Sequence, residues 1–138
     1  MSAFDMDRLA EVFGSDVAHD DGRAATTLTH GFGGEDFLRG HFPGFPVVPG
    51  VILLDGMVLA GLHNLERTGA GAGAEVRSIA VDTVTFHRPV LPGHRVQFVA
   101  RPAEAGRQGG IALRCAVMVD GARHARASMT FRFDDTHP

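Results

Sequence analysis

The 138-residue sequence predicts an α+β domain in which an antiparallel sheet wraps around one long buried helix. From residue 51 to about residue 65, apolar residues fall on all sides of the helical wheel, which is typical of a helix buried on most sides. Beyond residue 75, four runs alternate in polarity or are rich in β-forming residues, and turn-forming residues separate them. One buried helix followed by four such strands indicates the α+β class.

The predicted elements follow one another in a simple order. Residues 1–14 predict a short helix, and residues 24–28 predict a strand that leads toward His41. A Gly- and Ala-rich connection at 69–74 follows the central helix and is too short for a domain linker. The four strands are expected at 76–87, 95–102, 111–119 and 124–133. We therefore expect residues 1–138 to form a single domain.

The composition excludes several classes of function. Hydrophobic residues make up 44% and charged residues 21%, as in a soluble globular protein. The net charge of −3 argues against nucleic acid as the main partner. The central helix is too short to span a membrane, and no signal peptide is recognisable, so we expect a cytoplasmic protein. The single cysteine, Cys115, excludes an internal disulfide and is expected to be a buried apolar residue.

The central helix carries one charge in its apolar part, the carboxylate of Asp55. Pro49 can occupy the start of the helix, and Gly50 allows a ligand to approach the backbone closely. A lone buried carboxylate is unfavourable unless it is paired, bound to a metal or kept protonated. We therefore interpret Asp55 as a functional residue. The alternative is that Asp55 lies on a narrow exposed strip and is merely solvated.

His41 differs from most of the eight histidines because prolines and glycines surround it. Such a segment is stiff and presents the imidazole in one place, which proton transfer requires. His87, close to a second proline-rich turn, stays ambiguous. A structural interpretation is preferred for the remaining six, which are His19, His30, His63, His94, His124 and His137.

Two motifs carry a family resemblance. The segment from Gly40 to Asp55 resembles the G-H-F-P-G-x-P-x-x-P-G signature of the 3-hydroxyacyl-[acyl-carrier-protein] dehydratases, with the acid fourteen positions after His41. The segment from Phe86 to Gly93 is similar to the F-x-R-P-V-x-P-G turn of that family. The resemblance covers roughly residues 35 to 133, and it implies the hotdog fold.

The resemblance also implies a mechanism, the reversible dehydration of a 3-hydroxyacyl thioester to a trans-2-enoyl thioester. His41 would be the base and Asp55 the acid, while the amide of Gly50 would stabilise the thioester oxygen and the carbonyl of Val47 would orient the imidazole. In this family His41 and Asp55 come from different protomers, so a homodimer or higher oligomer is expected. No cofactor and no metal are implied.

Other residues are candidates for substrate contact. The expected acyl tunnel would be lined by Phe42, Phe45, Val51, Leu59 and Phe86. The thioester partner would be acyl carrier protein or coenzyme A, and an acidic carrier protein could meet the arginines that flank the two motifs, namely Arg39, Arg88 and Arg95. The alternatives are that these aromatic residues simply belong to the core and that the arginines are simply solvated.

The N-terminal third lacks the opening motif of the common fatty-acid dehydratases, and two further departures from the family pattern lie on the central helix. Asp55 stands where the more widespread branch has Glu, and Leu59 stands where a glutamine is frequent. The chain is therefore expected to be a divergent member, serving fatty-acid, polyene or polyketide-type biosynthesis. A hotdog thioesterase and a non-catalytic acyl-binding subunit remain alternatives. Serine hydrolase, zinc and phosphate-loop chemistry are poorly supported, because Gly-x-Ser-x-Gly, H-E-x-x-H and a Gly-rich loop ending in Lys are absent.

Overall fold

The structure is a computed structural model that describes residues 16–32, 47–70, 75–103 and 110–134. These ranges contain one helix and six strands, and the six strands form a single antiparallel sheet. Along the sheet the strand order is β1-β2-β4-β5-β6-β3. The elements are β1 (Val17–Asp20), β2 (Ala25–Gly31), α1 (Gly50–Thr68), β3 (Val76–Phe86), β4 (Arg95–Pro102), β5 (Gly110–Val119) and β6 (Ala122–Phe133). The predicted α+β class is confirmed.

The central helix forms where the sequence predicts it and is slightly longer. Helix α1 begins at Gly50, directly after Pro49, and ends at Thr68. Gly69 adopts a left-handed conformation (φ 75°), and its amide donates to the carbonyl of Glu66, which is a common helix C-cap. Strand β1 was not predicted, and the helix predicted at residues 1–14 lies outside the described residues.

Helix α1 packs against the inner face of the sheet at two glycines. At Gly56, the ring of Phe98 on β4 occupies the space that a Cβ atom would need. At Gly61, the ring of Phe131 on β6 lies 2.7 Å from the point where a Cβ atom would stand. Both rings are fully buried. The two glycines therefore act as notches that let the sheet close around the helix.

A buried amide also ties the helix to the sheet. The side-chain nitrogen of Asn64 donates to the carbonyl of Ala24 at 2.7 Å and lies 3.1 Å from the Thr26 hydroxyl. It lies 3.3 Å from the carbonyl of Ala100 on β4.

Cys115 is buried as predicted, and burial raises the pKa of its thiol to about 12. Neither Cys115 nor Asn64 was expected to be functional, and both hold or fill the core.

The two edges of the sheet differ in length and in exposed apolar side chains. One edge is β1, four residues long, in which the apolar Val17 and Ala18 precede the polar His19 and Asp20. The other is β3, eleven residues long, which pairs only with β6 among the described strands. Three apolar side chains on β3 are exposed, at 39% for Val81, 40% for Val84 and 48% for Phe86. A long edge strand with exposed apolar side chains can pair with another chain.

Candidate active site

The two sequence motifs meet at the amino-terminal end of α1. The amide of Val48 donates to the carbonyl of Val90 at 2.8 Å, which joins the segment before the helix to the proline-rich turn after β3. The ring of Phe86, at the end of β3, lies 3.0 Å from the position of a Cβ on Gly50. A Cβ at position 50 would contact this ring tightly, and the ring would have to shift by a few tenths of an ångström. The motifs are far apart in sequence, and the fold brings them together.

The backbone and ring of His124 hold the turn after β3. The carbonyl of His124 accepts hydrogen bonds from the amides of His87 at 2.8 Å and Arg88 at 3.2 Å. The His124 ring Nδ1 lies 3.1 Å from the carbonyl of Pro89, so Nδ1 carries the proton and donates. His94 accepts a hydrogen bond from the amide of Leu91 at 3.0 Å through its Nδ1 atom. His94 and His124 therefore support the turn structurally, whereas the side chain of His87 is exposed.

Asp55 lies on α1 between an exposed and a buried neighbour. Val51 precedes it by one helical turn and is 63% exposed, whereas Leu59 follows it by one turn and is fully buried. The Asp55 side chain is half-buried, and burial raises the pKa of its carboxyl above the ordinary value. Among the described residues, no cation or hydrogen-bond donor contacts this carboxyl. The carboxyl is thus placed where solvent meets core and holds its proton to a higher pH.

The first turn of α1 offers backbone donors beside Asp55. The amides of Ile52 and Leu53 both donate to the carbonyl of Pro49, at 3.0 and 3.2 Å. In the described part of the chain, no acceptor is found for the amides of Gly50 and Val51. The amino-terminal end of a helix carries a partial positive charge, and its free amides can bind a negatively charged oxygen. This end can therefore stabilise an oxyanion.

The remaining predicted site residues have different positions. His41, Phe42, Phe45 and Arg39 lie outside the described residues, so their predicted roles stay predictions. Val47 is half-buried beside the start of α1. Leu59 is part of the hydrophobic core. Arg88 and Arg95 are exposed, and Arg95 pairs with Asp16 at 3.5 Å.

Sequence patterns missed the contact between Phe86 and Gly50 and the packing of Gly56 on Phe98. Both contacts join distant parts of the chain, and the only available signal was a glycine on either side of the helical acid.

Within the described ranges, no group of three or more His, Cys, Asp or Glu residues could hold a metal ion. The described helix is also too polar or too short to cross a membrane.

Comparison with known proteins assigns this chain to the family that the two sequence motifs indicate. A domain-family profile described as "FabA-like domain" matches residues 6–128. The 3-hydroxyacyl-[acyl-carrier-protein] dehydratase FabZ of Sinorhizobium fredii (strain NBRC 101917 / NGR234) is 32% identical over 126 residues. The alignment covers 90% of this chain and 75% of that relative. These matches confirm the resemblance that the two motifs indicate.

Two solved structures confirm the hotdog fold. The dehydratase heterocomplex ApeI:P from Xenorhabdus doucetiae aligns with a TM-score of 0.57 at 20% identity, covering 84% of this chain and 96% of that chain. An acyl-CoA hydrolase from Staphylococcus aureus, in complex with butyryl coenzyme A, aligns with a TM-score of 0.63 at 20% identity. That alignment covers 83% of this chain and 66% of the hydrolase. The same fold therefore occurs in both a dehydratase and a thioester hydrolase.

Proposed function

Because this chain belongs to the FabA-like domain family, we propose that it catalyses the reversible dehydration of a 3-hydroxyacyl thioester to a trans-2-enoyl thioester. The observation that carries the proposal is the half-buried carboxyl of Asp55, with its raised pKa, on the helix whose first two amides have no acceptor among the described residues. Elimination of water needs an acid for the leaving hydroxyl and a donor for the thioester oxygen. A carboxyl and backbone amides that could fill these two roles both lie within the first two turns of α1.

The proposed mechanism uses three groups. The imidazole of His41 removes a proton from C2, and the electrons of that C–H bond form the new C2–C3 double bond. The carboxyl of Asp55 donates its proton to the C3 hydroxyl, which leaves as water. The amide of Gly50 stabilises the negative charge on the thioester oxygen. His41 then returns its proton to Asp55 through solvent, and the carbonyl of Val47 orients the imidazole.

The raised pKa of Asp55 supports its assignment as the acid. A general acid must still be protonated at the working pH, and an exposed aspartate is almost fully ionised near neutral pH. Burial disfavours the ionised form, and no described cation offsets this effect at Asp55. The carboxyl therefore holds a proton more readily than an aspartate with the ordinary pKa.

We further propose that the active unit is a homodimer formed along β3. Among the described strands only β6 pairs with β3, and β3 carries the exposed side chains Val81, Val84 and Phe86. Phe86 also contacts Gly50, so a partner that covers β3 would reach the start of α1. This arrangement supports the expectation that His41 of one protomer acts together with Asp55 of the other.

The acyl group is proposed to enter along the face of α1 that carries Val51 and Asp55. Val51 is the most exposed large apolar residue among those described, and Phe86 lies at the same end of the helix. Phe42 and Phe45 are proposed to complete the lining, whereas Leu59, expected there from the motif, is fully buried in the core. Arg39 and Arg88 are proposed to meet an acyl carrier protein, whereas Arg95 already has Asp16 as a partner.

Thioester hydrolysis is the second candidate function, because the chain is similar in fold to an acyl-CoA hydrolase. A hydrolase would use Asp55 as an ionised base that activates water. The raised pKa of Asp55 disfavours the ionised form and therefore favours the dehydratase. The products separate the two reactions, since hydrolysis releases a free thiol and dehydration does not.

Hydration of a trans-2-enoyl thioester by an Asp55→Asn variant tests the assignment of the acid. We expect kcat to fall by roughly 10²–10⁴-fold, because the amide cannot transfer the proton. Asp120→Asn is the matched control, since Asp120 is exposed in the turn between β5 and β6 and Asn tolerates its positive φ. A folded Asp55→Asn protein with the activity of the control would contradict the mechanism.

A further inference from the structure

An arginine-rich recess lies on the outer face of the sheet, away from α1. It has a volume of about 470 Å³ and is lined by arginines on β4, β5 and β6. These arginines are Arg101, Arg114, Arg123 and Arg126. They are exposed, while their strand neighbours, such as Leu113 and Cys115 beside Arg114, are buried. Because strand side chains alternate between the two faces, the recess opens opposite the helix that carries Asp55.

The pairing of the strands forces these charges together. Arg101 is directly opposite Arg114 in the β4–β5 pair. Arg126 is opposite Ala116, two residues along β5 from Arg114, and is therefore a diagonal neighbour of Arg114. Like charges directly opposite one another on a sheet destabilise it. In a chain with a net charge of −3, this local excess of positive charge is not a consequence of the overall composition.

The described acidic residues do not neutralise the recess. None of its described lining residues is acidic. The arginine ion pairs found in the described ranges involve Arg23, Arg67 and Arg95, all outside the recess. Within those ranges the four guanidinium groups have no carboxylate within 4.0 Å. A bound anion would remove the repulsion between Arg101 and Arg114.

The floor of the recess suits phosphate oxygens. Short side chains form it, and Thr83, Thr85 and Ser128 supply hydroxyl groups that can donate hydrogen bonds. Ser128 lies directly between Thr83 and Arg114 in the sheet, and Arg126 is opposite Thr85. Guanidinium groups bind phosphate with two parallel hydrogen bonds, and a volume of about 470 Å³ is that of a small-molecule site.

We propose that this recess, the Arg114 recess, binds a small anion with two or more phosphate groups. A second copy of the chain does not suit this face, because a two-fold interface would place the same arginines against one another. A flat acidic protein surface would leave the hydroxyl groups of the floor without partners. The small size and the concave shape therefore favour a phosphorylated small molecule.

Calorimetric titration with inorganic pyrophosphate at constant ionic strength tests the proposal. We expect saturable binding to the full-length protein. Arg114→Gln should raise the Kd by at least about tenfold, since it removes charge-assisted hydrogen bonds. Arg77→Gln is the matched control because Arg77 is an exposed arginine of β3 outside the recess. Adenosine 3′,5′-bisphosphate as a second probe separates a nucleotide site from a site for inorganic phosphate.

Two outcomes of the titration would overturn the proposal. One is the absence of pyrophosphate binding to the wild-type protein, and another is an equal loss of affinity in Arg114→Gln and Arg77→Gln. If pyrophosphate does not bind but a purified acidic acyl carrier protein does, and Arg114→Gln weakens that binding, this face is a protein-binding surface instead. Stability offers an independent check. In phosphate-free buffer the Arg114→Gln variant should unfold at a temperature no lower than the wild type, because the substitution removes the repulsion between Arg101 and Arg114. A clear decrease in the unfolding temperature would mean that Arg114 stabilises the protein without a bound anion.

Discussion

Asp55 is the residue on which the proposed chemistry of this chain depends. Its carboxyl is half-buried, while the next helical turns on either side place Val51 in solvent and Leu59 in the core. The sequence predicted a lone acid in an apolar helix, and the raised pKa is the physical consequence of that position. The partner base, His41, lies outside the described residues and remains a prediction from the motif.

The raised pKa of Asp55 predicts a pH-dependent effect on stability. The pKa of Asp55 in the unfolded chain is close to the ordinary value of 3.8. Below that pH the carboxyl is protonated in both the folded and the unfolded state, and its contribution to the free energy of unfolding is at its most favourable. As the pH rises through the higher folded-state pKa, this contribution to the free energy of unfolding is lost. Asp55→Asn does not titrate, so the variant should gain stability relative to the wild type as the pH rises.

Thermal unfolding between about pH 4 and about pH 7 measures this effect. The melting temperature of Asp55→Asn minus that of the wild type should increase across the range. Asp120→Asn provides the baseline, because Asp120 is exposed. A difference that stays constant with pH, or one that decreases, would mean that burial does not raise the pKa of Asp55 in the folded protein.

At the level of elements, the contact between α1 and the sheet depends on two glycines of the helix, Gly56 and Gly61, against which aromatic rings of the sheet pack. Gly56 adjoins Asp55, and the ring of Phe98 fills the space beside it. Gly56→Ala would force this ring or the helix to move, so we expect a loss of about 1–3 kcal/mol in the free energy of unfolding. Chemical denaturation measures the loss. Because the helix also carries Asp55, catalytic activity should decrease as well.

Gly31→Ala is the control for this prediction. Gly31 ends β2, and no atom lies within 4 Å of a Cβ placed on it. The same substitution there should change the free energy of unfolding by no more than about 0.5 kcal/mol. An equal change in the free energy of unfolding for Gly31→Ala and Gly56→Ala would show that the close packing of Phe98 on Gly56 does not contribute to stability.

The elements also show how far the sequence predicts the fold. Helix α1 was predicted because its apolar residues surround the whole wheel, and four strands were predicted from alternation. Strand β1 was missed because its four residues, with His19 and Asp20 among them, carry no alternation strong enough to detect. The placement of β3 beside β6, and of Phe86 against Gly50, depends on contacts between distant residues, which no local pattern contains.

At the level of the whole molecule, the exposed edge of β3 predicts a functional dimer. If His41 and Asp55 act across the interface, a mixed dimer of His41→Ala and Asp55→Ala protomers contains one intact site. Mixing the two inactive proteins after dissociation should restore about a quarter of the wild-type activity, since about half of the random dimers are mixed. Turnover of an enoyl thioester by the mixture measures this recovery.

Two controls make the mixing experiment decisive. Each variant reassembled alone should stay inactive. Val84→Glu on the edge of β3 should weaken dimerisation in analytical ultracentrifugation, whereas Ala18→Glu on the opposite edge should not. If the mixture stays inactive although mixed dimers form, His41 and Asp55 belong to the same protomer, and the proposed arrangement is wrong.

The most direct test of the proposed function is to identify the products formed from a panel of 3-hydroxyacyl thioesters. The thioesters would be offered on acyl carrier protein and on coenzyme A, and mass spectrometry would identify the products. We expect loss of one water with the thioester intact, and regain of water when the enoyl thioester is supplied. Release of a free acid and a free thiol, without any enoyl product, would contradict the proposed dehydration and identify the chain as a thioesterase.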